Sequence, residues 1–317
     1  MSESPYSGTF RDRIAANKRN SLFLIAIFLA FVAVFGYVIG YAWIGDPVRA
    51  LFGLVLAFVV GTISGFVSYY AGGRIVLAAS RAQEVTHDEA PQLFNVVEEM
   101  AIAGGLPMPK VYIIKDSAPN AFATGRDPEH ASVAVTSGLL EKLNRDELQG
   151  VIAHEMSHVG NFDIRYAMLV GILVGTTVLI SDFFLRSLWF GGGRRREGGG
   201  QAQIIMIIVA VVLAILAPIF ARLLQLSISR QREYLADATA VKFTRNPKGL
   251  ADALQKISGD REVLEAANRA TAHLYIVNPI KRFEKRATGL FSTHPPIEER
   301  IQILRSMETG GIPQTTG

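Results

Sequence analysis

Two stretches of this chain run without a charge for longer than a helix needs to cross a bilayer, from Ser21 to Ile44 and from Ala50 to Gly73. A helix covers the hydrocarbon core with about 20 residues. Inside lipid, only a helix or a closed barrel satisfies its own backbone polar groups. Half of the 317 residues are hydrophobic and the mean hydropathy is +0.27, an excess concentrated in such runs. Gly45-Asp46-Pro47-Val48-Arg49 joins the two as a tight hairpin. Arg11, Arg13, Lys18 and Arg19 precede the first run, and Arg74 and Arg81 follow the second. The positive-inside tendency therefore places the N-terminus and the chain after Arg74 in the cytoplasm. The first run is too long for a signal peptide and lacks a small-residue cleavage site, so it reads as a retained anchor.

A second hydrophobic pair is less regular. Gln201 to Ala221 is charge-free, with Pro218 set to kink it. Ala167 to Ser181 is shorter, and Asp182 and Arg186 follow it. The Gly/Arg loop 191–200 between them places Arg194, Arg195 and Arg196 outside if the pair crosses, against the usual charge bias. A re-entrant hairpin is the alternative to two spans; two spans are the expectation. The division is then a cytosolic segment 1–20, a transmembrane hairpin 21–73, a first soluble piece 74–165, a second hairpin 166–221 and a second soluble piece 222–317. The soluble pieces are expected to assemble into one domain. The fold class is mainly α with a small β-sheet (α+β), carried by about four transmembrane helices.

Within the first piece, Leu93, Val96, Val97 and Met100 recur at helical spacing, predicting an amphipathic helix over 90–103 that Gly104-Gly105-Leu106-Pro107 ends. Val111 to Ile114 reads as a buried strand and Ala131 to Thr136 as an alternating one. The second piece reads as mostly helical.

The chemistry concentrates in His154-Glu155-Met156-Ser157-His158. Histidines at i and i+4 share one helix face, so both imidazoles reach one metal ion. Glu155 then sits beside the metal's open position as a base toward water. The same residues would also suit a helix with two solvated histidines. The chain has no cysteine, which excludes disulfides and thiolate ligands; zinc must be held by His, Asp or Glu. The formal net charge of +4, with scattered basic residues, gives no support to a nucleic-acid partner; a lipid bilayer suits it better.

A catalytic zinc needs a third protein ligand. Asp163 is one candidate, but a continuous helix would turn it about 140° away from His158. Glu233 is the better one. It shares a helix face with Asp237, whose carboxylate is placed to accept from a ligand histidine's second nitrogen and fix its tautomer. A solvated helix pairing these acids with Arg230 and Arg232 remains the alternative.

With these blocks in place, the chain resembles the M48 peptidases, which are gluzincins, and in particular their four-segment HtpX-like branch. The likeness rests on His154-Glu155-x-x-His158 and Glu233-x-x-Ala236-Asp237. It extends to Asn120-Ala121-Phe122-Ala123-Thr124-Gly125, Asn161-x-Asp163 and Ser292-Thr293-His294-Pro295-Pro296, in the same order and over nearly the whole chain. The resemblance implies one zinc per chain at His154, His158 and Glu233, with Glu155 catalytic; Asp237, and Asp163 if it is not itself a ligand, are expected to stand behind the ligands. It also implies polypeptide substrates, membrane proteins among them. His294 is the candidate second stabiliser of the oxyanion, although a histidine capping the helix at Pro295 has the same sequence. Asn120 and Ala121 are expected to flank an edge strand that pairs with an extended substrate; ordinary turn chemistry after Pro119 would also place an Asn there.

If the motif helix continued into the third hydrophobic segment, His158 would lie about 14 Å from Ala167, and Glu233 about 18 Å beyond Ala221. The zinc would then sit just above the cytoplasmic face of a cell membrane. The expectation is a membrane zinc endopeptidase, a hydrolase, and the resemblance implies that it acts on damaged membrane proteins in quality control. A CAAX-type processing protease is the alternative within the class; an inactive zinc-binding membrane scaffold and a metal transporter are the alternatives outside it. An intact Glu155 weighs against a scaffold, and spans without histidine weigh against a transporter.

Overall fold

The computed structural model describes residues 10–170, 182, 186, 204, 207–209, 211–212, 230–260, 262–266, 274–277 and 295–308. Most of the second hydrophobic hairpin and the whole 191–200 loop lie outside these, as does His294. The chain divides into two compact units. One comprises residues 1–18, 71–168 and 226–317; the other comprises 19–70 and 169–225.

The second unit holds most of α1 (Phe10–Ile44) and α2 (Pro47–Ala79), separated by a two-residue turn; residues 10–18 and 71–79 of these helices belong to the first unit. Gly45 adopts φ 74°, and Asp46 Oδ1 accepts from Arg49 N at 2.7 Å, capping α2. A Cβ on Gly53 would fall 2.6 Å from the Gly36 carbonyl oxygen, so the two backbones touch where neither residue has a side chain. Ser21–Tyr41 of α1 and the whole of α2 are long and apolar enough to span a bilayer. Most of their large apolar side chains, Phe23, Phe52 and Phe66 among them, are exposed.

The first unit is built on α3 (Pro91–Gly104), α4 (Ser137–Lys142), α5 (Arg145–Gly160), α6 (Arg230–Thr244), α7 (Pro247–Gly259) and α8 (Ile297–Glu308). Helix α3 buries Leu93, Val96, Val97 and Met100 and ends at left-handed Gly105, where Leu106 N donates to Ala101 O at 2.9 Å. Strands β1 (Gln83–Glu84), β2 (Lys110–Ile114), β3 (Ala121–Gly125) and β4 (Ala131–Thr136) form one sheet in the order β1-β2-β4-β3. β2 and β4 are parallel, and the other pairs antiparallel. β3 is therefore one edge and β1 the other.

The sequence alternates along β4, a pattern common where one face of a strand meets water. Instead every residue of β3 and β4 is buried. Ala121, Ala123, Val133 and Val135 pack into the core with α3, α5 and α7. Phe122 and Ala134, pointing the other way, meet Val76 and Leu77 of α2, Leu264 and Tyr275. The period of two is intact, but both faces have an apolar cover.

Helix α5 occupies the centre of this unit. Asn144 and Glu147 form a reciprocal capping box at its start, with bonds of 3.0 and 2.8 Å. A Cβ on Gly150 would lie 2.7 Å from Leu250 N, so α7 lies directly against α5 there. Nearly every side chain from Leu148 to Gly160 is buried. The expected continuation into the third hydrophobic segment does not occur. α5 ends at Gly160, Phe162 takes φ 61°, and a new helical stretch begins at 163.

Candidate metal centre

The four-residue step in α5 stacks the His154 and His158 rings edge to face, with centroids 4.7 Å apart. Their Nε2 atoms face each other at 3.2 Å. Helix α6 brings Glu233 to the pair. Its Oε2 is 3.7 Å from His154 Nε2, and its Oε1 is 3.7 Å from His158 Nε2. Ligand atoms of all three lie within 4.8 Å of one another.

The residues behind the triad decide which ring nitrogens face inward. His154 Nδ1 lies 2.9 Å from Asp237 Oδ1, and His158 Nδ1 lies 3.1 Å from Asp163 Oδ2. A carboxylate only accepts, so each Nδ1 carries a proton and the two Nε2 atoms are left facing each other. Two ring nitrogens and a carboxylate converging at this spacing suit a positive charge between them, a proton on His158 in the metal-free site or a metal ion in its place. A tetrahedral zinc with bonds of roughly 2.0–2.1 Å separates its ligand atoms by about 3.3 Å, close to the observed triangle. The donor set therefore fits zinc.

Asp163 reaches His158 because the helix breaks. The left-handed turn at Phe162 cancels the 140° rotation a continuous helix would impose, and converts a poorly directed ligand candidate into a partner of His158 Nδ1. Its other oxygen lies 3.7 Å from Arg232 Nη1, and that guanidinium stacks over Tyr166 at 4.6 Å.

Arg300 was not foreseen. It is 1% exposed, donates from Nε and Nη2 to Asp237 at 2.8 and 2.7 Å, and places Nη1 3.5 Å from Glu233 Oε2. The only sequence signal is its place four residues after Pro296; between Glu298, Glu299 and Gln302 it reads as a solvated charge.

The electrostatics follow from burial and these partners. Burial pushes Asp237 up, but the Arg300 charge and hydrogen bonds outweigh it and hold the carboxyl low. Burial pushes Arg300 down, and the Asp237 charge more than reverses that. His154 is depressed, chiefly by burial, against the pull of Asp237. Burial also works against protonation of His158, yet its bond to Asp163 and the charges of Glu233, Asp163 and Glu155 raise it to about 9. Glu155 is raised to about 7 by burial and the nearby Glu233 charge, despite His158 and a hydrogen bond from the Ala123 backbone N–H.

A cavity opens beside the triad, lined by Ala123, Glu155, Ile164, Tyr275 and Ile276 among others. Asn120 and Ala121 stand at the start of edge strand β3, as the sequence suggested, but their polar groups are engaged within the chain. Asn120 Nδ2 donates to Val277 O at 2.8 Å, and Ala121 O accepts from Ile276 N at 3.0 Å.

Residues 87–308 match the family model described as Peptidase family M48. The protease HtpX homologue of Streptococcus gordonii is 43% identical over 299 residues, covering 93% of this chain and 99% of the relative. That of Listeria monocytogenes (serotype 4b, strain CLIP80459) is 47% identical over 305 residues, covering 93% and 99%. Among solved structures, the crystal structure of S. mikatae Ste24p overlaps 91% of this chain and 65% of its own, at 20% identity and a TM-score of 0.46.

Proposed function

Because the chain belongs to peptidase family M48, with HtpX homologues along nearly its whole length, and is a metallopeptidase, we propose that it is a membrane-bound zinc endopeptidase. Its substrates are misfolded or damaged membrane proteins, cut at the cytoplasmic face. The observation that carries this reading is the facing pair of imidazole Nε2 atoms, each ring held by a carboxylate behind it and the set completed by Glu233.

His154, His158 and Glu233 hold the zinc, which when bound polarises the scissile carbonyl and acidifies the attacking water. Glu155 takes the water's proton and passes it to the leaving amine. Burial pushes this carboxyl up from the ordinary carboxylate range, the direction that helps it keep a proton taken from water until the leaving amine accepts it. Asp237 and Asp163 keep the two Nδ1 protons in place. Arg300 anchors Asp237 and adds a buried positive charge beside the site. His294, six residues before Arg300, is the proposed second oxyanion donor. The β3 edge receives the backbone of an extended substrate.

The two bilayer-length helices support membrane anchoring. The basic residues flanking the first hairpin support a cytoplasmic catalytic domain, and the apolar length of the second hairpin supports two further spans, against the bias of Arg194, Arg195 and Arg196. Glu155→Gln tests the chemistry: cleavage of unfolded β-casein should fall at least 1,000-fold while zinc stays near one per chain. Retained cleavage would remove Glu155 from the mechanism. Membrane proteins retained by this inactive variant in cells would identify the substrates.

A further inference from the structure

The β3 edge is not free along its length. Three consecutive residues, Tyr275, Ile276 and Val277, lie against Phe122, Ala121 and Asn120 respectively. Val277 O accepts from Asn120 Nδ2 at 2.8 Å, and Val277 N lies 3.4 Å from Asn120 Oδ1. Ile276 N donates to Ala121 O at 3.0 Å. The Tyr275 ring meets Phe122 edge to face at 5.0 Å. The contacts run in opposite chain order, as those of an antiparallel partner do, although the segment is bent and, among the described residues, makes a single backbone–backbone hydrogen bond to β3.

The side chains alternate as well. Tyr275 fills the core with Phe122 and bonds Ser80 Oγ at 3.3 Å; Ile276 fills the opposite core beside Ala121. Leu274, Tyr275 and Ile276 wall the metal cavity. On the same edge, the Ala123 N–H is turned to Glu155. The outward groups an incoming chain would use, Ala121 O and Ala123 N–H, are both engaged in this state.

We propose that residues 274–277 hold the place of a substrate strand on β3, and that cleavage requires an extended apolar segment to exchange with them. The proposal rests on the peptidase reading above and adds to it a gate and a substrate class. The exchange is balanced in hydrogen bonds, because any extended backbone offers Ala121 O the same donor that Ile276 gives. It is unbalanced in apolar contacts unless the newcomer carries bulky side chains at adjacent positions to refill what Tyr275 and Ile276 vacate. Unfolded, apolar-rich polypeptide meets that condition. Polar linkers and folded surfaces do not, which spares native neighbours of a protease facing the cytosol.

The chain has no cysteine, so an introduced pair has no competitor. Ala121→Cys/Ile276→Cys joins two neighbours of one core across the edge, and closure is checked by thiol count. In the full-length protein, cleavage of β-casein and binding of fluorescent β-casein are measured oxidised and reduced, with wild type as the control. Both should fall at least 10-fold on oxidation and return on reduction. Equal cleavage in the two states overturns the gate and leaves the peptidase intact. If wild type does not cleave at all, the peptidase reading fails and the binding comparison alone decides the gate. If the pair does not close, Asn120→Ala, which removes the Val277 anchor, should raise cleavage 3- to 10-fold; an unchanged or lower rate overturns the proposal.

Discussion

Asp237→Ala separates two jobs that one carboxylate performs. Asp237 is 1% exposed and accepts from Arg300 twice, at 2.8 and 2.7 Å, besides holding His154 Nδ1 at 2.9 Å. Its removal leaves a buried guanidinium without its main counter-charge, a loss of about 3–5 kcal/mol for a broken buried pair. Glu233, 3.5 Å from Nη1, compensates only in part. For a domain of 150–250 residues this lowers the melting temperature by roughly 6–20 °C. Loss of the carboxylate behind His154 separately weakens zinc about 10–100-fold.

Adding Arg300→Met removes the stranded charge. The double variant should therefore recover more than half of the lost melting temperature, since replacing both members of a buried pair by apolar groups is often neutral. It should recover none of the zinc affinity. Melting of the metal-free proteins in detergent and zinc titration against a competing chelator read the two quantities. An Asp237→Ala protein melting within 2 °C of wild type, or a double variant no more stable than the single, would refute the assignment of Arg300 as a buried charge dependent on Asp237.

Glu233→Ala should reduce zinc content from about one per chain to a trace, with helix content unchanged by circular dichroism; tight zinc in this variant would move the third ligand elsewhere. Zinc binding should also depend on pH in a defined direction. With His158 near 9 in the metal-free site, a proton must leave before its Nε2 binds, so apparent affinity should rise about 10-fold per pH unit from 6 to 9 and level off above. Asp163→Asn removes the chief group raising that value and should flatten the rise; an unaltered slope in the variant would contradict this cause. Gly150→Ala gains about 1 kcal/mol of helix propensity, but its methyl meets Leu250 backbone at 2.7–2.8 Å and overpacking costs about 1–3 kcal/mol. A net loss of stability is expected by thermal melting, and a stabilised variant would show that α5 and α7 are not in close backbone contact.

What sequence made legible here is what depends on short range. His154 and His158, and likewise Glu233 and Asp237, share faces through a four-residue helical step, and the structure brings both faces together. The strands over 110–114 and 131–136 and the helix starting at Pro91 follow from local periodicity, within a residue of expectation. What was not legible depends on partners far along the chain. The apparent outer face of β4 is covered by Val76, Leu77 and Tyr275, and no pattern within six residues encodes that cover. Arg300 looks solvated until Asp237 is placed beside it. Asp163 looked misdirected because a left-handed phenylalanine has no sequence signature of its own.

That phenylalanine divides what is rigid from what is adjustable. A helix carries twist along its axis, but one left-handed residue between two helical stretches interrupts the transmission. The separation of the two imidazoles is fixed inside α5. The aim of the second imidazole depends on Asp163, on the far side of the break. Mechanical load on the chain beyond residue 163 would thus leave the ligand spacing alone and act on how firmly His158 is steered, tuning a property of the metal through a single hydrogen bond.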